Sequence, residues 1–166
     1  VCFAEEEDGE VLYLDFGANS VRRIVQAGGS TTEPVADRLS ETGCVDPADP
    51  TQPAAGLIPY APIAPFWSDG AAKERWYSLP DGSTVDVDAE GDWLFPAGSV
   101  IVKHFRLGGD LIETRLFMRH NGGEWAGYTY EWNDSQTDAS RVVGGKTKDI
   151  AGQTWIYPSE AECLEC

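Results

Sequence analysis

Along residues 11–16 the side chains alternate, with Leu12, Leu14 and Phe16 interleaved with Val11, Tyr13 and Asp15. Gly17-Ala18-Asn19-Ser20 then supplies turn chemistry, and Val21, Ile24 and Val25 resume the apolar pattern. A period of two on both sides of a turn predicts a β-hairpin over 11–26. From Arg75 onward the same period returns in short runs: 76–79, 83–88, 99–107, 111–120, 125–132, 139–143 and 153–157. The run from Ser99 to Leu107 is the strongest, being rich in β-branched and aromatic residues. Gly108-Gly109 suits a two-residue primed turn, in which both central positions want positive φ. Asn121-Gly122-Gly123 marks another turn. Many short strands with Gly-rich turns predict an all-β chain, an antiparallel β-sandwich of jelly-roll-like type.

Between these regions the periodicity fails. Residues 27–65 hold Gly28-Gly29, Asp46-Pro47, Asp49-Pro50, Pro53, Pro59, Pro62 and Pro65. Proline fixes φ and removes a donor, so long helices and central strands are excluded there. The expected organisation is a hairpin over 1–26, an extended Pro-rich connector over 27–65 and an antiparallel β-domain over 66–158. A helix start over 159–166 completes the chain. Ser159 and Glu162 stand three apart as a capping box opening that last segment.

The central hairpin can be registered from its turn. A two-residue loop pairs Leu107 with Asp110, hence Phe105 with Ile112 and Ile101 with Leu116. One face then carries Ile101, Phe105, Leu107, Ile112, Leu116 and Met118, with Lys103 opposite Thr114, and reads as core. The other places His104 opposite Glu113, Val102 opposite Arg115 and Val100 opposite Phe117, and reads as half-exposed.

Charge narrows the function. The chain of 166 residues carries 12 Lys+Arg against 28 Asp+Glu, a net charge of −16. That argues against nucleic acid, whose backbone is bound by Lys/Arg clusters, and against docking to an anionic membrane surface. No apolar run reaches the ~18–20 residues of a membrane helix, and no leader pattern opens the sequence. The acidic run Glu5-Glu6-Glu7-Asp8 reads as a solvated loop.

Candidate chemistry is sparse. His104 and His120 are the only imidazoles and fall at opposite ends of the hairpin, so a shared metal site is not expected. Asp86, Asp88, Glu90, Gly91 and Asp92 imitate the start of a calcium loop, but its twelfth position is Ala97, where a bidentate Glu is needed. They read as an acidic turn, and no metal ligands are assigned. The Gly-Gly pairs separate strands and do not open a helix, so no phosphate loop is read. G-x-S-x-G is absent, and no catalytic residues are assigned. The six Trp read mainly as core. In the Trp67-Ser68-Asp69-Gly70 turn, Asp69 is expected to accept backbone N–H groups with Trp67 packed beneath.

The four cysteines are Cys2, Cys44, Cys163 and Cys166. An even, widely spaced set in a Gly/Pro-rich chain points to an oxidising compartment. Three full pairings are open. Cys2 with Cys44 is the expected disulfide, since both lie in the N-terminal half. Closing that loop would remove roughly 3–4 kcal/mol of unfolded-state freedom in the chain-entropy model. Cys163 and Cys166 form C-x-x-C, read either as ordinary disulfide cysteines or as a truncated haem motif. Covalent haem attachment needs C-x-x-C-H, so a His would have to follow Cys166.

Two stretches carry a resemblance. Glu7 to Gly17, followed by Val21-Arg22-Arg23-Ile24-Val25, looks like the closing strands of a propeller in PQQ-dependent sugar (glucose/sorbosone) dehydrogenases. Leu39 to Cys44, Gly56 to Tyr60, Ala64 to Ala71 with Lys73 and Arg75-Trp76, and Trp93 to Ser99 follow a second pattern. So do Glu113-Thr114-Arg115, Gly127 to Asn133 and Pro158 to Cys166. The chain resembles the β-domain between such a propeller and a C-terminal c-type cytochrome domain in an exported bacterial family. The resemblance implies a periplasmic or otherwise exported, redox-associated setting, with haem c attached at Cys163 and Cys166 if a His follows. It supplies no catalytic residues. The function expected is a non-catalytic accessory domain that docks or positions redox partners among the protein subunits of a membrane-associated electron-transfer assembly. The alternative is a carbohydrate-binding or carbohydrate-acting β-sandwich.

Overall fold

In the computed structural model the described residues are 35–164, together with the backbone of three N-terminal strands, β1 (Cys2–Glu5), β2 (Val11–Asp15) and β3 (Ser20–Arg23). The chain divides into two compact units, Val1–Val35 and Ala36–Cys166. In the first, the three strands form an antiparallel sheet in the order β1-β2-β3, with Leu14 paired to Val21 and Cys2 to Leu14. The expected hairpin is its β2–β3 half. The turn at 16–19 lies outside the described residues.

The second unit is all-β and antiparallel. After a 3-10 turn (Leu39–Glu41) come β4 (Val45–Asp46), β5 (Asp49–Pro53), β6 (Ile58–Pro59), β7 (Ala72–Ser78), β8 (Asp86–Val87) and β9 (Trp93–Leu94). Then follow β10 (Val100–Leu107), β11 (Asp110–Arg119), β12 (Trp125–Trp132), β13 (Ala139–Val142), β14 (Lys146–Ile150) and β15 (Gln153–Tyr157). Six strands make the main sheet, in the order β13-β12-β11-β10-β7-β6. The all-β, antiparallel, sandwich-like fold expected from the sequence is present, and within the main sheet the strands run as a meander interrupted by the β8–β9 hairpin. The connector from residue 36 onward belongs to this unit: it supplies β4, β5 and the edge strand β6, whose length is limited to two residues ending at Pro59.

Gly108 and Gly109 take φ of 65° and 103°, so the primed turn forms and Leu107 pairs with Asp110 as expected. Beyond it the register departs. A β-bulge makes Ile112 an extra residue: Arg106 pairs with Leu111, but Phe105 pairs with Glu113. Every later pair is displaced by one, so His104 faces Thr114, Lys103 faces Arg115, Val102 faces Leu116 and Ile101 faces Phe117. Because side chains alternate, a one-residue slip moves a strand's whole apolar set to the other face. Val102 and His104, expected on the half-exposed face, therefore share a fully buried face with Thr114 and Leu116, beside Tyr130 and Trp132, while Phe105 and Ile112 of the expected core face are buried as well. The Tyr130 hydroxyl donates to the Ala36 carbonyl at 2.8 Å and ties the start of the unit to this face.

The opposite face is only partly covered. The β14–β15 hairpin lays Trp155 and Tyr157 against Phe105, Ile112 and Ala71. The C-terminal 3-10 turn (Glu162–Leu164) lays Cys163 over Gly127 and Thr129. Its capping box forms: the Ser159 backbone N–H donates to Glu162 Oε2 at 2.8 Å, and the Glu162 N–H donates to Ser159 Oγ at 3.3 Å. The rest of that face stays open.

Candidate binding face

Register assembles the open face. Arg75 on β7 pairs with Lys103 on β10, Lys103 with Arg115 on β11, and Arg115 with Thr129 on β12. At roughly 4.8 Å between neighbouring strands, three cations stand in one row across the sheet. Lys73, two residues before Arg75, lies on the same face in the next row, paired with Phe105. On the other side of the row run Tyr77, Ile101 and Phe117, again in register.

The four cations are not equivalent. Arg115 clamps Glu113 through two hydrogen bonds, Nε to Oε1 at 2.5 Å and Nη2 to Oε2 at 3.2 Å. Trp155 Nε1–H donates to the same carboxylate at 2.9 Å. Glu113 is fully buried, and desolvation raises its pKa against the pull of Arg115 and Trp155. This carboxylate holds Arg115 in place and neutralises it. Lys73, Arg75 and Lys103 form no ion pair among the described residues. Lys73 Nζ donates to Ser68 Oγ at 3.0 Å, and Lys103 Nζ sits 4.8 Å from the Phe105 ring centroid. Burial first, then the repulsion of Arg115, Arg75 and Lys73, pushes the Lys103 ammonium down to about 8. In a chain of net charge −16, three cations without an ion pair among the described residues share one patch.

Apolar groups border that patch. Between residues 65–70 and the start of β7 lies a recess of about 400 Å³, with Lys73 and Arg75 on one wall and Phe66 and Trp67 on the other. Among the described residues no carboxylate lines it. Phe66 and Trp67 are 82% and 77% exposed, so Trp67 does not pack beneath its turn as expected. That turn closes through the Ala71 N–H to the Ser68 carbonyl at 2.8 Å, with Asp69 at a φ of 47°. Toward the other end, Tyr60, Tyr77, Phe95, Trp93 and Trp125 form a chain of ring contacts with centroids 5.8–6.1 Å apart. Ile58, Ile63, Val87 and Leu94 are exposed as well. A second recess, about 480 Å³, is lined by Asp134, Lys148 and Asp149 among others, but Lys148 is already paired with Glu131 and Asp134.

The residues singled out in the sequence are mostly structural. His104 does not pair with Glu113, because the bulge sets them on opposite faces. Its Nδ1 lies 2.6 Å from Thr114 Oγ1, which also accepts from Trp132 Nε1–H at 2.9 Å. The rings of Trp76 and Trp132 pack edge-on against it. Burial pushes the imidazole down to about 4, so it is neutral at neutral pH, and its Nε2 has no partner. His120 is held separately, Nε2 to Tyr128 Oη at 3.0 Å. In the β8–β9 hairpin, Asp88 Oδ1 accepts the N–H groups of Glu90 and Asp92 at 3.0 and 2.8 Å, so this carboxylate shapes an acidic turn.

The Cys2–Cys44 bridge is not formed. Cys44 is a buried free thiol with Sγ 3.8 Å from the Thr42 carbonyl, and burial raises its pKa. The Cys2 side chain and Cys166 lie outside the described residues. Cys163 is buried, its Sγ 3.5 Å from Thr129 Oγ1. Haem attachment at Cys163 and Cys166 turns on Cys166, which lies outside the described residues. Among the described residues no helix is long and apolar enough to cross a membrane.

Sequence reasoning missed the cation row, since its members come from three strands and meet only through register. Comparison with known proteins finds no matching family model, curated protein or solved structure.

Proposed function

We propose that this chain is a non-catalytic docking domain that holds a partner protein on the open face of its six-stranded sheet. The observation that carries the reading is the cluster Lys73, Arg75 and Lys103, without an ion pair among the described residues and bordered by exposed Phe66, Trp67 and Trp93. Aromatic and Arg side chains dominate binding energy at protein interfaces, and contiguous exposed apolar surface marks an interaction site. The buried titratable groups are used structurally: both Glu113 oxygens are bonded to Arg115 and Trp155, and His104 is sealed in the core. In the exported, redox-associated setting that the resemblance implies, the domain positions neighbouring subunits and carries no electrons itself.

A carbohydrate-binding reading draws on Trp67 and Trp93. The exposed aliphatic residues Ile58, Ile63, Val87 and Leu94 favour protein over sugar, because they offer no hydrogen bonds to hydroxyl groups. The test is association of the purified chain with a separately produced propeller module and cytochrome module of the resembled type, followed by biolayer interferometry. Binding to one of them that weakens at least tenfold in a Phe66→Ser/Trp67→Ser variant is expected. Binding indifferent to that change, or sugar oxidation by the chain alone, would refute the proposal.

A further inference from the structure

Resting on the docking reading, we infer that the partner presents an extended acidic segment, with an apolar side chain next to its carboxylates, to the recess lined by Lys73 and Arg75, beside which Lys103 stands in register with Arg75. The occupant is argued from charge complementarity. The chain has 28 acidic residues against 12 basic ones, so chance would place carboxylates around any cation cluster. Among the described residues none lines this recess. Burial first, and then the repulsion of its cationic neighbours, disfavours the charged form of Lys103 in the free protein. An arriving carboxylate pair relieves that repulsion, and Arg75 offers the planar fork that carboxylates fit bidentately.

The shape agrees with a segment. The recess lies along β7 beside Phe66 and Trp67, and Tyr77, two residues on from Arg75 on the same face, lines a separate apolar hollow of about 160 Å³ with Tyr60, Trp93, Phe95 and Ile101. A carboxylate at one end and an apolar side chain at the other matches that sequence of surfaces. Strand addition is not the mode proposed: β10 has a strand on each side, and although β6 covers β7 only at Trp76 and Tyr77, the groups the segment is argued to meet are side chains of the face.

The experiment uses the full chain and an array of eight-residue synthetic peptides in which Glu and Leu positions are permuted, with Gln-for-Glu counterparts. Hexagalacturonate serves as the glycan control, and sedimentation follows self-association. Acidic peptides should bind at least tenfold more tightly than their Gln counterparts. Lys103→Gln and Arg75→Gln should each remove most of that margin, and Lys103→Arg should restore it. All three side chains project from the open face, so thermal unfolding run in parallel should show intact folds. Equal binding of acidic and neutral peptides would overturn the inference. So would hexagalacturonate binding as tightly as the best peptide, or a dimer abolished by Lys103→Glu, which would give the face to a second copy. If the peptides fail while a neighbouring module still binds in a Phe66- and Trp67-dependent way, only the acidic segment is lost. If module binding also fails, the docking reading falls with it.

Discussion

His104 and Glu113 are fully buried on opposite faces of one strand pair, and acid acts on them with opposite signs. The folded imidazole is depressed from 6.5 to about 4, so between those values the unfolded chain binds the proton and the folded chain does not. Stability from this group is therefore complete above about pH 6.5 and falls as pH drops toward 4, by at most about 3 kcal/mol. Glu113 is raised by burial, so protonation favours the fold as pH falls through its raised pKa and opposes the loss. The two are separated by comparing the native chain with His104→Gln in urea titrations from pH 7 to pH 4. The variant is expected to be less stable at pH 7, losing the packing against Trp76 and Trp132, but to show the shallower fall with acid. Parallel pH profiles would mean that His104 does not set the acid limit.

At the scale of elements, the C-terminal 3-10 turn depends on a single missing methyl group. A Cβ at Gly127 would stand 2.3 Å from Cys163 Cβ and 3.4 Å from the Phe117 ring, and Gly127 is buried on a central strand. Gly127→Ala is expected to destabilise by ~1–3 kcal/mol, the usual cost of overpacking. It should also raise the rate at which Cys163 reacts with a thiol reagent, because the turn lifts to make room. A variant as stable and as unreactive as the native chain would show that the turn packs differently. The turn itself was legible in the sequence, since Ser159 and Glu162 announce it by type and spacing. So was the β10–β11 turn, because few residue pairs besides Gly108-Gly109 tolerate two positive φ values. The bulge was not: Ile112 is an ordinary strand residue, and nothing local distinguishes an extra Ile from a paired one. The pairings that depended on the count beyond it, including the partner of His104, are displaced by one, although Phe105, Ile112 and Leu116 are buried as expected. Trp67 misled for a different reason. Composition alone sends a tryptophan to the core, and only the tertiary fold shows that its turn has nothing above it.

For the whole molecule, charge acts at two ranges with opposite effect on an acidic partner. The net charge of −16 repels it at a distance, while Lys73, Arg75 and Lys103 attract it at contact. Salt screens the distant term first, because the Debye length shrinks from about 30 Å at 0.01 M to about 10 Å at 0.1 M. Between partly buried groups at contact the screening is weaker. The association rate with an acidic peptide should therefore rise with salt over this range, reversing the usual behaviour of electrostatically steered pairs. The dissociation rate should rise as well, since the contact charges weaken somewhat. Lys103→Gln should raise the dissociation rate at every salt concentration, with little effect on the salt dependence of association. Stopped-flow measurement of tryptophan fluorescence at 0.01, 0.03 and 0.1 M salt separates the two rates, with Trp67 beside the recess as the reporter. An association rate that falls steeply with salt would mean that the cation patch governs approach as well as contact. The surrounding acidity would then reach no further than the rim of the site.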